Sequence, residues 1–247
     1  MLHKTRGIVL SSLNYNDTYK IVHIYTEAFG QVPYLVAKSK GKKSRVPLAL
    51  FHPFAVLAID VEHLPLRDIQ RIKEARRELV LADIPFNPVK ASILFFLSEF
   101  MYKVVKDIQA NPSLFDFVYR SIEVFDLLEQ NFANFHLVFM MRLSLFLGFF
   151  PNGDGYRKGM YFDMQSGTFA VAKPAHPYFL SPNDSEVFLL LLRMDYENMH
   201  AYSLSRHDRV EVIHKILDYY KLHFSSLTEL KSLDVLQSLF STERSEE

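Results

Sequence analysis

The chain has 247 residues, of which 49% are hydrophobic and 23% charged, and its formal net charge is zero. This composition excludes a disordered chain, which would be poor in apolar residues and carry a large net charge. Because the chain contains no cysteine, disulfides, thiolate catalysis and cysteine-ligated zinc or iron–sulfur sites are excluded as well.

Charge is unevenly distributed along the chain. Residues 1–80 contain 13 Lys and Arg against 7 Asp and Glu, whereas residues 81–247 contain 15 against 21. This asymmetry indicates that the first part faces a polyanion and the second does not. Chance, together with electrostatic attraction between the two parts, is the alternative explanation.

Five short strands are predicted in the first 80 residues, because β-branched and aromatic residues recur between turn residues. They cover Arg6–Leu13, Tyr19–Thr26, Gln31–Ala37, Phe54–Val61 and Asp68–Leu79. Five strands at near-regular spacing indicate a small β-barrel, although the count alone also fits an SH3-like barrel.

From residue 86 onward, apolar residues recur every three or four positions, which predicts helices. Three helices should begin at a capping side chain followed by proline, at Asn87-Pro88, Asn111-Pro112 and Ser181-Pro182. The predicted helices are 88–106, 112–130, 134–148, 182–194, 206–224 and 232–240. We therefore expect an α+β protein with a barrel domain at 1–80 and a helical domain at 81–247.

A glycine-containing insert at 151–181 separates two of the predicted helices. Its runs Gly159–Asp163 and Gly167–Val171 flank a turn at Met164–Ser166, which predicts a small β-hairpin.

The densest charge cluster follows the third predicted strand. It places five cations in eight residues, at Lys38, Lys40, Lys42, Lys43 and Arg45. Flexible cations in a loop suit a phosphate backbone, which needs neutralisation but no base-specific geometry. We predict that these five residues bind DNA; a solvated loop that aids solubility is the alternative.

Aromatic residues on the barrel are candidates for base stacking. Tyr15 and Tyr34 are the leading candidates, and Tyr25 and Phe51 are two further ones. An aromatic residue in a strand more often belongs to the core, which is the alternative for each. A second basic stretch could extend the cationic track or form a salt-bridged surface; it comprises Arg67, Arg71, Lys73, Arg76 and Arg77.

Signatures of common enzymes are missing from the sequence. It has no phosphate-binding P-loop, no G-x-G-x-x-G, no G-x-S-x-G and no H-E-x-x-H motif. His207 and His214 are seven residues apart, too far for the usual zinc pair on one helix. We therefore expect no enzyme activity, no cofactor and no metal site. With no signal peptide and no apolar run long enough to span a bilayer, we also expect a soluble, cytoplasmic protein with no membrane partner.

A series of short motifs runs through the chain. In the first part they are Gly7-Ile8-Val9-Leu10, Tyr15-x-Asp17, Thr26-x3-Gly30, Ala37-Lys38, Ser44-Arg45 and Leu50-x-x-Pro53-Phe54. Later they are Phe139-x-x-Arg142-Leu143-x3-Leu147-Gly148, Leu180-Ser181, Tyr219-Tyr220-x-x-His223 and Leu230-Lys231-Ser232. Their order and spacing resemble those of the bacterial RecO family of DNA repair and recombination proteins.

The resemblance implies an N-terminal five-stranded OB-fold barrel followed by an α-helical domain. It also implies a nucleoid-associated mediator that binds single-stranded and duplex DNA, anneals complementary strands and helps to load recombinase together with RecR. Arg142 takes the helical position that the family associates with docking the acidic C-terminal tail of the single-stranded DNA-binding protein. A salt bridge within the helical bundle is the alternative role for Arg142.

One departure from the family concerns zinc. Many members hold a zinc ion with four cysteines in the insert that corresponds to 151–181, and this chain has none of them. His176 alone cannot replace them. We expect a metal-free, zinc-finger-like insert in which aromatic side chains pack where the metal would lie, namely Tyr156, Tyr161, Phe162 and Phe169.

Two other functions remain open on the sequence alone. The basic barrel could bind an acidic partner protein rather than DNA, which would make the chain a protein–protein adaptor. A hydrolase or transferase whose site has no sequence signature would instead show a deep pocket lined by histidines or carboxylates.

Overall fold

The computed structural model of the chain describes residues 2–38 and 45–242, with side chains as far as residue 238. These residues pack as two compact units. The first runs to Leu127 and also includes Thr228–Leu239, and the second contains Leu128–Leu227. The first unit therefore includes two whole helices and most of a third that a boundary after residue 80 would separate from the barrel. The division into domains at 1–80 and 81–247 stays a prediction.

The first unit is built on a closed barrel of five strands, which confirms the predicted fold. The strands are β1 (Leu2–Asn14), β2 (Tyr19–Thr26), β3 (Gly30–Ala37), β4 (Val56–Glu62) and β5 (Gln70–Arg77). Their order around the barrel is β1-β2-β3-β5-β4, and β1 pairs with β4 to close it. All neighbours are antiparallel except β3 and β5, which run parallel.

Alternating residues of these strands fill the barrel interior, as the period of two along a strand requires. In β3 the inward set is Val32, Tyr34 and Val36, and each of the three is buried. Gly30 begins this strand with a positive φ of 68°, and a Cβ there would lie 2.8 Å from the carbonyl oxygen of Ile108. The turn from β2 into β3 therefore requires glycine.

Six α-helices are described, close to the predicted positions. They are α1 (Pro88–Val104), α2 (Pro112–Leu127), α3 (Phe135–Phe146), α4 (Pro182–Arg193), α5 (Arg206–Lys221) and α6 (Lys231–Thr242). The three predicted caps are confirmed: Asn87 accepts from the Lys90 amide at 3.2 Å, and Asn111 and Ser181 accept in the same way from the amides three residues later. Within the described residues, no helix combines the length and the apolar character needed to span a membrane.

The insert forms a small three-stranded sheet in the second unit. Its strands are β6 (Tyr161–Asp163), β7 (Thr168–Ala170) and β8 (Phe179–Leu180), in the order β7-β6-β8. The predicted hairpin is confirmed, and β8 is an additional strand. The sheet is joined to α4 and α5 through Phe162, whose amide donates to Ser185 Oγ at 2.7 Å and whose ring contacts Phe188 and Tyr219.

Candidate nucleic-acid interface

The turn between β1 and β2 carries Tyr15, and the side chain of Lys38 reaches it from the end of β3. Asn16 Oδ1 accepts from the amides of Thr18 and Tyr19 at 2.9 and 2.8 Å, which fixes the turn. Lys38 Nζ donates to the Asn16 carbonyl oxygen at 2.6 Å, so this cation lies over the turn. Tyr15 in the same turn is 59% exposed and offers a ring to solvent. A cation and an exposed aromatic ring thus share this end of the barrel.

Arg45 lies where the chain rejoins the barrel. Its carbonyl oxygen accepts a hydrogen bond from the Ala75 amide in β5 at 2.9 Å. Its side chain lines a groove of about 340 Å³ together with Arg71 and Lys73 of β5. Tyr19, which is 36% exposed, lines the same groove from β2. The groove therefore combines three cations with one aromatic side chain. We call it the cationic groove and define it by these four residues.

The parallel pairing of β3 with β5 creates this groove. Leu35 of β3 lies opposite Arg71, which sets the N-terminal half of β5 beside the C-terminal half of β3. Since Lys38 directly follows β3 and Arg45 precedes the return to the barrel, both lie near the same seam. Lys40, Lys42 and Lys43 lie outside the described residues.

The charges of the groove are only partly neutralised. Lys73 Nζ lies 3.3 Å from Glu62 Oε2, and its hydrogen bond lowers the pKa of that carboxyl below the ordinary value. Within the described part of the chain, neither Arg45 nor Arg71 forms a salt bridge at hydrogen-bonding distance, and both are exposed. Two guanidinium groups are thus available for an anionic partner.

Other cations of the barrel have structural roles. Arg6 donates to Glu27 at 2.8 Å and to Asp116 of α2 at 3.1 Å, and its guanidinium lies 5.0 Å from the Phe115 ring centroid. The hydrogen bond from Arg6 lowers the pKa of Glu27. Because its donors are engaged within the first unit, Arg6 contributes little free charge to a DNA surface.

The structure corrects one predicted stacking residue. Tyr34 is completely buried in the barrel core. Tyr25 is also fully buried, but on the outside of the barrel, where its ring stacks against α2; burial raises the pKa of its hydroxyl to about 12. Phe51 is buried as well. Tyr34 therefore has no face to offer a base, and the prediction that it stacks is wrong; the alternation with Val32 and Val36 was the signal for its burial.

Tyr19 is the residue that the sequence reasoning missed. Successive side chains of a strand point to opposite faces, and Tyr19 is an odd number of residues away from Val22 and Ile24, which point into the barrel. The pattern therefore places the Tyr19 side chain on the outside of the barrel. Tyr15 and Tyr19 are the exposed tyrosines of this end of the barrel, and either can present a ring to a base.

Arg142 lies in α3 of the second unit. Its Nη2 donates to the Met194 carbonyl oxygen at the end of α4, at a distance of 3.1 Å. This is a hydrogen bond to the backbone rather than the salt bridge considered as its alternative role. Partner docking by Arg142 stays a prediction.

The insert lacks the donors that a zinc site needs. It has no thiolate, and His176 Nε2 lies 3.2 Å from Asp163 Oδ1, which holds the imidazole in a pair with a single carboxylate. Three of the four predicted aromatic residues are in contact: the Phe169 ring lies 4.9 Å from Tyr156 and 5.1 Å from Phe162. The fourth, Tyr161, packs against Phe179 instead, with ring centroids 5.7 Å apart. Among the residues with described positions, no three potential metal ligands come together. The residues present do not fit the zinc ion of the cysteine-bearing relatives.

Comparison with known proteins identifies the family. The family model described as Recombination protein O N terminal matches residues 1–78, and that described as Recombination protein O C terminal matches residues 85–234. The chain belongs to the RecO family. The barrel is therefore the N-terminal part of a RecO chain, and the helices with the small sheet belong to the C-terminal part.

Curated RecO relatives match over nearly the whole length. The DNA repair protein RecO of Azobacteroides pseudotrichonymphae is 47% identical over 97% of this chain and 100% of its own. The DNA repair protein RecO of Phocaeicola vulgatus is 43% identical over 98% of this chain and 100% of its own. The RecO protein of Flavobacterium psychrophilum is 28% identical over 96% of this chain and 99% of its own.

Proposed function

We propose that this RecO chain is a non-enzymatic DNA repair and recombination mediator that binds DNA through the cationic groove of its barrel. The observation that carries the proposal is the convergence of Arg45, Arg71 and Lys73 beside Tyr19, at the seam next to Lys38. Guanidinium and ammonium groups neutralise phosphates and release counterions, and an exposed ring stacks on bases of any sequence. Binding of this kind is insensitive to base sequence.

Strand annealing follows from the same chemistry. A basic surface that binds two complementary strands screens the repulsion between their phosphates, and base pairing then supplies the free energy. No nucleotide cofactor and no metal ion enter this proposal. Duplex DNA presents the same phosphates and is a second substrate of the groove.

The partners proposed for this chain are those implied by its family: single-stranded DNA, RecR, and the acidic tail of the single-stranded DNA-binding protein. Arg142 is the residue proposed to contact that tail. The proposed location is the cytoplasm, in association with the nucleoid.

Fluorescence anisotropy of a labelled single-stranded oligonucleotide across a salt series tests the proposal. If three to five cations contact phosphates, log K against log[salt] should have a slope of about −2 to −3.5. The Arg45→Gln/Arg71→Gln variant should weaken binding and reduce that slope by about 1.4, because two phosphate contacts are lost. Lys42→Glu/Lys43→Glu tests the part of the predicted loop outside the described residues.

Arg76→Gln is the matched control, because Arg76 is an exposed arginine of the same strand that lines a different surface of the barrel. It should leave the affinity nearly unchanged. If the control and the groove variant lost affinity for the oligonucleotide equally, the binding would not be localised to the cationic groove. If the loss of affinity depended on the base sequence, the contacts would not be to the phosphate backbone.

The adaptor function makes a different prediction in the same assay. A barrel whose partner is an acidic protein would have a weak affinity for DNA, and that affinity would vanish at physiological salt concentration. No binding even at low salt would overturn direct DNA contact by the free protein and would leave the adaptor, or binding that requires RecR.

A further inference from the structure

The three-stranded sheet of the insert has two faces with different surroundings. Because side chains alternate along a strand, Phe162 of β6 and Phe169 of β7 share the inner face, where the ring of Phe162 meets α4 and α5. Tyr161 has the opposite phase, and so does Phe179 of β8, which lies opposite Asp163. The Tyr161 and Phe179 rings contact each other with centroids 5.7 Å apart. The insert therefore presents an aromatic pair on the side away from its core.

Tyr178 is the most exposed aromatic residue of the insert, at 46%. Its backbone is held on both sides: its amide donates to Nδ1 of His176 at 3.2 Å, and its carbonyl oxygen accepts from the Met164 amide at 3.0 Å. Nε2 of His176 in turn lies 3.2 Å from Asp163 Oδ1 on the outer face. Pro177, directly before Tyr178, restricts the chain further. Tyr178 is thus an exposed ring on a fixed backbone, which loses little conformational entropy when it binds a partner.

A cation lies beside these rings. Lys173 is exposed, and its Nζ lies 5.3 Å from the centroid of the Phe179 ring. Among the described residues, Lys173 forms no salt bridge. Asp163 is the one carboxylate among the strand residues of the outer face, and its Oδ1 already accepts from the amides of Gln165 and Ser166 at 2.9 and 3.2 Å. The charge of Lys173 is therefore available to a partner, whereas Asp163 is engaged within the insert.

The charge of the insert differs from that of the sequence around it. Residues 81–247 contain 15 Lys and Arg against 21 Asp and Glu, whereas the insert at 151–181 contains three against two. Its three cations are all exposed, namely Arg157, Lys158 and Lys173. One neighbouring carboxylate, that of Glu186, lies by Tyr156, whose ring packs against Phe169 of the inner face. An anionic partner therefore meets less repulsion at the insert than the average charge of this part of the chain implies.

We call four residues the outer aromatic surface: Tyr161, Lys173, Tyr178 and Phe179. We propose that this surface is a second binding site for single-stranded DNA, in which Tyr178 stacks on an unpaired base and Lys173 contacts a neighbouring phosphate. Stacking is open to every base, because each has a π-face. Duplex DNA is a poorer ligand, because its bases are already stacked inside the helix. The site lies in the second unit and does not depend on the cationic groove of the barrel.

Two short probes test the proposal on the full chain carrying Arg45→Gln/Arg71→Gln, which weakens binding at the cationic groove. They are tetrathymidylate and its abasic counterpart, which keeps the phosphates but has no bases. Both are titrated to millimolar concentration against protein with isotopically labelled tyrosine and phenylalanine rings. Tetrathymidylate should shift the NMR signals of Tyr161, Tyr178 and Phe179. It should bind about five- to ten-fold more tightly than the abasic probe, as expected for one stacked base at an exposed site.

Variants separate stacking from charge. Tyr178→Ala should abolish the preference for tetrathymidylate over the abasic probe, whereas Tyr178→Phe, which keeps the ring, should retain it. Lys173→Gln should weaken both probes about two- to five-fold and reduce the slope of log K against log[salt] by about 0.7, because one phosphate contact is lost. Leu145→Ala, which changes an exposed apolar residue of α3 outside the insert, should affect neither probe.

Three results would overturn the proposal. The first is the absence of shifts at the three aromatic signals of the insert with tetrathymidylate. The second is an equal affinity for tetrathymidylate and the abasic probe. The third is a capped tetraglutamate peptide that shifts the same signals and displaces tetrathymidylate, which would make the surface a site for an acidic protein. Because the cationic groove is tested separately, by comparing the unchanged protein with Arg45→Gln/Arg71→Gln, failure at the insert is distinguishable from failure of the barrel site.

Discussion

The barrel and the three-stranded sheet of the insert are both built from short strands, but different interactions stabilise them. The barrel closes on itself, so that each strand has a neighbour on both sides and the side chains of all five fill one interior. The insert sheet has strands of two or three residues and gains its core from helices α4 and α5 through Phe162. Closed pairing makes a sheet self-sufficient, whereas an open sheet of this size depends on what covers it.

The largest expected effect is therefore in the insert. Phe162→Ala removes a fully buried ring that contacts Phe169, Phe188 and Tyr219. It should lower the free energy of unfolding by about 3–5 kcal/mol, through lost burial and the cavity left behind. Chemical denaturation measures the loss, and hydrogen exchange should show it in the insert, α4 and α5 while the barrel strands stay protected.

Tyr178→Ala is the matched control, because Tyr178 is a half-exposed aromatic residue of the same insert. It should cost less than about 1 kcal/mol. If Phe162→Ala exposed the barrel amides equally, the contrast between a self-sufficient and a dependent sheet would fail.

A second prediction probes the barrel side of the comparison. Gly30→Ala combines a positive φ with a Cβ placed 2.8 Å from a backbone oxygen. It should therefore lower the free energy of unfolding by about 2–3 kcal/mol. Gly155→Ala has a similar φ of 72° but no neighbour within 4 Å, so it should cost only about 1 kcal/mol. Denaturation midpoints of the two variants separate backbone strain from steric overlap; equal losses would show that overlap contributes nothing.

A third prediction concerns pH and the second unit. Burial, with a smaller contribution from Arg209, lowers the pKa of His136 in α3 to about 3. In the unfolded chain the pKa is near 6.5, so below that pH the unfolded state takes up a proton that the folded state excludes. Stability should fall as the pH drops from about 6.5 towards 3, by about 2 kcal/mol between pH 7 and pH 5.

Denaturation at several pH values measures this dependence. His136→Leu should flatten the profile over that window, and His200→Leu, which changes an exposed histidine of the same unit, should leave it as it is. A profile that His136→Leu does not alter would assign the acid sensitivity to other groups.

The smallest expected effect is that of a chelator. Since the insert holds no thiolate and its His176 pairs with Asp163, ethylenediaminetetraacetate should not shift the melting temperature of tag-free protein. Elemental analysis provides the decisive check. Stoichiometric zinc in the purified protein would contradict a sheet stabilised by aromatic packing alone.

Much of the architecture was predictable because its signals are local. Alternation and turn residues located the five barrel strands, and β2 was predicted at its observed bounds. The caps at Asn87, Asn111 and Ser181 located three helix starts, since a capping side chain bonds an amide only three residues away. A two-residue strand such as β8 carries too little pattern to be recognised.

The sequence by itself determined the elements, the cationic character of the barrel and the absence of thiolate ligands. The tertiary structure decided which residues share a surface. Arg45, Arg71 and Lys73 meet only because β3 pairs in parallel with β5, and that pairing joins segments distant in the chain. Likewise, Arg76 and Arg77 are neighbours in β5 but line different surfaces. The physical reason is that the register of non-consecutive strands is set by burial of the whole barrel interior, which no local pattern contains.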